Sequence, residues 1–330
     1  MPDDQTALQN AGKHATPQRT PPGEWRCETY YGRNQVKHAP FNNWVVGGYI
    51  FLAGLSGGAQ ILSTLADLTR GRAARSTVRR GRYLAMLAPT LGSALLVWDL
   101  HTPARFYNMF RIFRGTSPMS IGTYVLTAFT GFAGLTAAAQ FVGDRSGGRA
   151  GRLARRSAAV TQVPAAIAGA GLATYTAALL SATSTPLWAA APKSLAARYA
   201  GASLAGAAGA LFLGSEDRTS IAMQRVALAA LGVELAAGVT LHRAFRERGV
   251  AAALDGAAGQ AEKGVTVLGT ILPIGLLGAS LLSRRLPSLA NAASVAALAG
   301  SAALRVAIMA AGNESARRPE ISFAFTEKER

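Results

Sequence analysis

Eight apolar runs follow one another along this chain, each near the roughly 20 residues that a helix needs to cross a bilayer. They cover about 44–66, 83–101, 120–142, 158–181, 195–213, 220–241, 264–283 and 288–310. In lipid the backbone must satisfy its own hydrogen bonds, so only helices and closed barrels span. Unbroken apolar runs of this length, rather than alternating ten-residue segments, predict helices. The expected fold class is therefore an all-α integral membrane protein, a bundle of eight transmembrane helices. The fifth run, rich in Ala and Gly, carries the weakest signal. Composition agrees: half of the 330 residues are hydrophobic and only 15% are charged, against about 25% in a soluble protein. Disorder is excluded on the same ground, and a soluble α/β enzyme is disfavoured.

Lys and Arg in the connections set the orientation. Arg70, Arg72, Arg75, Arg79, Arg80 and Arg82 lie between the first two runs, and Arg145, Arg149, Arg152, Arg155 and Arg156 between the third and fourth. With Arg218, Arg284 and Arg285 this face holds 14 basic residues, against nine on the other. The positive-inside rule then places both termini outside. Trp44, Trp98 and Trp188 fall at the outer ends of their runs, where an interfacial aromatic belt is expected. The net charge of +17 is read as this topology signal, and no nucleic-acid partner is expected. The domain plan is an extracytoplasmic tail over 1–41, an eight-helix domain over 42–312 and a second extracytoplasmic tail over 313–330. The first tail lacks the apolar core of a secretory signal. Its aromatics, Trp25, Tyr30 and Tyr31, are more than a free tail requires.

Several chemistries fail on residue counts. One cysteine, Cys27, cannot build an iron–sulfur site or a disulfide framework. Of four histidines, His14 and His38 lie in the tail, and His101 and His242 at run ends. No pair sits at membrane depth to ligate a haem. A Lys-Ser/Thr phosphate loop and a His-Glu-x-x-His zinc motif are both missing. No metal site is expected.

The polar residues inside the runs ask for reasons, because each is costly in lipid. Tyr49, Asp99, Tyr175, Glu234 and Arg305 all fall in the outer halves, with His101, Arg105 and Tyr107 just after Asp99. A polar cavity near the outer face would explain the collection. Structural ion pairs, Glu234 with Arg305 and Asp99 with Arg105, are the alternative. Arg225 can snorkel to the interface. Tyr49 and Tyr175 are expected to approach each other, with Gly54, Gly57 and Gly58 leaving room for a flat ring. Close helix packing would account for the same glycines, and an interfacial or packing role for the tyrosines.

Four stretches together resemble one family: TYYGRNQVKHAPFNNWVVGGYIFLAGLSGGAQIL (Thr29 to Leu62), WDLHTPARFYNMFRIFRGTSPMSIGTY (Trp98 to Tyr124), TYTAALLSATSTPLW (Thr174 to Trp188) and LRVAIMAAGNESARRP (Leu304 to Pro319). They are similar to the NrfD/PsrC family of quinone-interacting membrane subunits of molybdopterin and iron–sulfur oxidoreductases. The Asp-Leu-x-x-Pro-x-Arg-Phe and Ser-Pro-Met-Ser strings are the most specific part. His101-Thr102-Pro103 stands where the family usually has Gly-Arg-Pro, and Ala177 where it often has Gly.

The resemblance implies a haem-free anchor in the cell membrane, a subunit of a respiratory complex that is not catalytic alone. It would exchange electrons between a peripheral iron–sulfur subunit and the quinone pool. The bound substrate would be a quinone, menaquinone or ubiquinone, and the partners a four-cluster ferredoxin-like subunit and a molybdopterin catalytic subunit on the extracytoplasmic side, with membrane lipid around the helices. Tyr49 and Tyr175, with Gly54, Gly57 and Gly58, would form the quinone site. Asp99 and His101 would pass protons to the outer phase. Trp25, Tyr30 and Tyr31, together with Phe106, Tyr107 and Phe110, would dock the iron–sulfur subunit. A small-solute or proton transporter is the competing class, against which no repeat with matching broken helices is seen.

Overall fold

The computed structural model describes residues 36, 42–99, 103–213, 220–283 and 287–327. The expected roles of Trp25, Tyr30, Tyr31 and His101 fall outside the described residues. Within them every regular element is helical. The long helices are α1 (Asn43–Arg70), α2 (Arg75–Asp99), α3 (Pro118–Arg145), α4 (Gly148–Ser181), α5 (Pro192–Leu213) and α6 (Ser220–Glu247). Then come α7 (Ala257–Ser283) and α8 (Pro287–Arg317), and a short α9 (Pro319–Glu327) follows.

Among the described residues, six segments are long and apolar enough to cross a membrane. The first of these, Asn43–Asp99, contains both α1 and α2, and α5 is not among the six. The protein is a multi-pass, all-helical membrane protein. Two of the helix starts are capped as the sequence permits. Asn42 accepts from the Trp44 and Val45 amides at the start of α1, and Ser117 accepts from Ser120 N ahead of Pro118 in α3. Gly71, at φ +48°, turns the chain from α1 into α2 through a single 3₁₀ turn.

Neighbouring helices define two four-helix bundles. In the first, α1 packs on α2 and α4, and α3 on α4 and α2. In the second, α5 packs on α6 and α8, and α7 on α8 and α6. The bundles meet where α1 touches α5 and α8, and where α4 touches α5. Exchanging the halves preserves this pattern, as an approximate two-fold axis along the helices would. Asn313 near the end of α8 donates to Asn43 at the start of α1, 2.7 Å away. The chain therefore enters and leaves the helical body at one face.

The arginine-rich turns lie at the other face and are braced rather than simply solvated. Arg82, only 5% exposed, donates to Gln140 and Gln162 at 2.5 Å each and to Asp67 at 2.9 Å. Gln162 donates back to Asp67 at 2.8 Å. One guanidinium thus joins side chains from α1, α2, α3 and α4. Counting Arg82 among the loop charges is corrected by this burial, and Arg198 on the other face is buried too. Removing one residue from each side leaves the charge bias unchanged.

Trp188 also departs from expectation. Trp44 and Trp98 are 75% and 83% exposed, but Trp188 is 0% exposed. Its indole N–H donates to the Ile308 carbonyl at 2.9 Å, and its ring lies over Gly312. It is a core residue of the second bundle because the one-turn helix Pro186–Ala189 folds inwards on α8. The segment after 312 is likewise ordered: α8 runs to Arg317, and α9 buries Ile321.

Arg82→Ala should destabilise the protein by about 2–5 kcal/mol, because the buried Gln140 and Gln162 oxygens lose their donor, at about 1–3 kcal/mol for each acceptor left unsatisfied. The check is the melting temperature in detergent. Arg82→Lys should recover little of the loss, because one ammonium cannot replace a planar fork bonding three acceptors.

Candidate functional site

At the face away from the arginine-rich turns, the first bundle brings together Tyr49, Asp99 and Tyr175. Tyr49 sits two turns into α1 and is half-buried, with the α1 backbone running close to α2 at Gly92. Asp99 ends α2, also half-buried, and both it and Tyr175 lie within electrostatic range of the Tyr49 hydroxyl. The Tyr175 hydroxyl from α4 donates to the Pro118 carbonyl at the start of α3. Its ring fills the space that a side chain at Gly122 would need. Three helices therefore supply the three ionisable groups, and the fourth supplies an acceptor.

The glycines expected to leave room for a ring have another role in this geometry. Gly54 faces Ser203 and Arg305, Gly57 faces the Gly169 carbonyl, and Gly58 faces Ser203 and Ala207. All three are buried under α4, α5 or α8. The space over them is filled by neighbouring helices, because a backbone without Cβ lets a second backbone approach. The ring-sized room is corrected to close packing.

Neither expected ion pair forms among the described residues. Arg105 is exposed and, among the described residues, forms no ion pair with Asp99. Arg305 is 1% exposed and bonds Ser301 Oγ and Ser203 Oγ at 2.7 Å, the Ser301 carbonyl at 2.6 Å and the Tyr199 carbonyl at 3.2 Å. Its guanidinium lies 5.1 Å from the centre of the Tyr199 ring. Glu234 instead accepts from Thr270 at 2.9 Å. The reason is α5, which stands between them. Its Tyr199 and Ser203 take up Arg305, while its Gly201 abuts the Glu234 backbone.

The second bundle holds a cluster that the sequence reading did not single out. Arg198 of α5 pairs with Glu262 of α7 at 2.6 Å, and each side chain is 2% exposed. Glu262 also meets His242 Nε2 at 3.1 Å, while His242 Nδ1 lies 2.8 Å from the Gly238 carbonyl. Thr266 accepts from Arg198 at 2.8 Å and donates to Glu262 at 3.3 Å. Thr266 directly precedes a π-helical turn, Val267–Ile271, which contains Thr270. Pro273 just beyond it cannot donate to the α-helical ladder, and such wide turns recur at functional sites. Among the described residues no group of three His, Cys, Asp or Glu could hold a metal.

The loop after α2 is exposed. Its 3₁₀ segment Pro103–Phe110 buries no side chain, and Phe106, Tyr107 and Phe110 are 42%, 53% and 45% exposed. Tyr124 of α3 donates to the Phe110 carbonyl at 3.1 Å, and its ring packs edge-on against Phe113. The loop is thereby held on α3.

A helical body with membrane-length spans, exposed apolar flanks and ionisable groups gathered inside its bundles defines a multi-pass membrane protein with a partly polar interior. The chain matches the family described as polysulphide reductase, NrfD, over residues 34–315, and it belongs to that family. It is also 30% identical over 90 residues to the C subunit of polysulfide reductase from Wolinella succinogenes. That match spans 26% of this protein and 28% of the relative, so a little over a quarter of each is compared.

Glu262→Ala should cost about 3–5 kcal/mol by leaving Arg198 buried without its carboxylate. The double replacement Arg198→Leu with Glu262→Leu should recover much of that loss, because an apolar pair of similar volume is tolerated. Thermal unfolding of the two variants and the wild type in one detergent decides the order.

Proposed function

We propose that this protein is the haem-free, quinone-reactive membrane anchor of a respiratory oxidoreductase. Membership of the NrfD family supports an anchor role, and a relative named as one lettered subunit of polysulfide reductase supports assembly with other subunits. In this reading α1 to α8 all span, with α5 shielded by its neighbours. Both termini lie outside, opposite the arginine-rich turns. The domain plan stays that of two extracytoplasmic tails flanking residues 42–312, the second tail beginning within the last turns of α8.

The observation that carries the reading is the convergence of Tyr49, Asp99 and Tyr175 at the face away from the arginines. A quinone that takes up two electrons also takes up two protons. The site must therefore offer hydrogen bonds to its oxygens and a proton path to water. The Tyr49 phenol suits the first task in an apolar wall. Tyr175 already donates to Pro118, so its free lone pairs can only accept, and it also fixes α3 against α4. Asp99 at the helix end, followed by His101, reaches the outer phase and exchanges protons with it. Gly54, Gly57 and Gly58 serve the site indirectly by closing α1 on its neighbours.

Electrons are exchanged with a four-cluster ferredoxin-like subunit that is paired with a molybdopterin subunit, both on the outer side. Trp25, Tyr30 and Tyr31 with Phe106, Tyr107 and Phe110 form the docking surface, aromatic anchors between Arg105, Arg111 and Arg114. Proton exchange stays on that side, and Glu234 and Arg305 serve the second bundle's packing. A transporter reading gains no support from the family.

In the purified complex, Tyr49→Phe and Asp99→Asn should each slow turnover with a soluble quinone analogue by about ten-fold or more, the low end of acid–base contributions. Glu234→Gln should stay within a few-fold. Wild-type turnover in the first two variants would overturn the site. Deleting 25–31 should release the iron–sulfur subunit from membranes, whereas loss of 1–19 should be tolerated. Retention of that subunit after the first deletion would remove the docking assignment.

A further inference from the structure

A cavity of about 210 Å³ lies in the second bundle between α6 and α7, and the site around Tyr49 makes no use of it. It is smaller than the roughly 300–1,000 Å³ of drug-sized pockets, so it has room for a single ring system. Its rim includes Leu235 and Val239, and Val239 is 46% exposed on the apolar flank. A ligand therefore enters from the lipid phase and leaves an apolar tail outside.

The walls say which head group fits. The cation at the back, Arg198, is already matched by Glu262 at 2.6 Å, and Glu234 on the side wall adds a carboxylate. Arg246, which also lines the cavity, adds a second cation to match that second carboxylate in number, so the lining carries balanced charge and favours a neutral head group. Arg198 Nε is buried without an acceptor. Gly238, on the cavity wall, lies beside it: a Cβ at that position would be 3.4 Å from Nε. A buried donor of this kind calls for an acceptor atom, such as a ring carbonyl. On the α7 wall, Thr266 and Thr270 have committed their protons to Glu262 and Glu234. Their remaining lone pairs accept from a ring hydroxyl. One wall thus offers a donor, which suits a quinone carbonyl, and the other offers acceptors, which suit a quinol hydroxyl.

We propose that the cavity between α6 and α7 is a second site for the head ring of a lipid-soluble quinone or quinol, separate from the one at Tyr49. The choice of ligand rests on the quinone-reactive reading given above.

The test uses the intact membrane complex and a photoreactive azido-quinone, with labelled peptides mapped by mass spectrometry. Wild-type protein should carry label both near Tyr49 and within residues 231–246 or 262–271. Val239→Trp, on the rim, should cut the second label at least five-fold and leave the first unchanged. Gly238→Ala adds a methyl at ordinary contact distance from Arg198 and should act in the same direction, which keeps the test valid if the tryptophan variant assembles poorly. Label confined to the first bundle would overturn the second site and leave the proposed function standing. Second-bundle label indifferent to both variants would reveal surface labelling and overturn it too. Absence of label from both bundles would count against the quinone reading as a whole.

Discussion

A guanidinium placed inside an apolar body has to be given acceptors by the protein itself, since neither lipid nor neighbouring alkyl groups can supply them. Three such groups organise this structure. Arg82 collects Asp67, Gln140 and Gln162 from the other three helices of the first bundle. In the second, Arg198 and Arg305 collect hydroxyls, carbonyls and the Glu262 carboxylate from α5, α7 and α8. Apolar packing between lipid-bathed helices lacks a hydrophobic driving force. Directional bonds of this sort therefore fix helix rotation and register, which interchangeable Ala and Leu surfaces would leave loose.

Those bonds depend in turn on small residues. Gly57 meets Gly169, Gly201 meets the backbone at Glu234, and Gly269 meets Gly300, each at a separation that a Cβ would prevent. Backbones drawn this close let short side chains such as Ser203 and Thr270 reach across helices. The same closeness removes space, which is why Gly54, Gly57 and Gly58 cannot also frame a ring. Open volume is found instead where helices diverge, between α6 and α7, next to the π-helical turn.

Much of the fold was legible from apolar run length and from arginine blocks, because both report directly on the surrounding medium. The costly residues Tyr49, Asp99, Tyr175, Glu234 and Arg305 were legible for the same reason. Their partners were not. Glu234 and Arg305 had opposite charge and similar depth, but the intervening α5 decides whom each can reach. Arg82, Arg198, His242 and Glu262 sit near run ends, where sequence cannot separate a solvated charge from one tucked under the next helix. The signal that could have found the second-bundle cluster is helical spacing: His242 lies eight residues after Glu234, and Thr266 and Thr270 follow Glu262 at four-residue steps. Trp188 shows the converse, since an aromatic at a run end marks either an interface or an inward turn. Pro186 two residues before it starts the turn that made it core.

The two bundles share their helix pattern but treat charge differently. The first keeps its arginine hub at one face and its tyrosines at the other, separated by the apolar and small-residue middle of α1. The second runs its polar groups from the middle of α6, at Glu234, towards the end where His242 lies. Between the hub and the tyrosines of the first bundle, on α1, Ser56 donates to the Ala53 carbonyl at 2.8 Å within its own helix. Under the proposed function, a quinone site at Tyr49 lies far from the arginine-rich face and would exchange protons with the phase it adjoins.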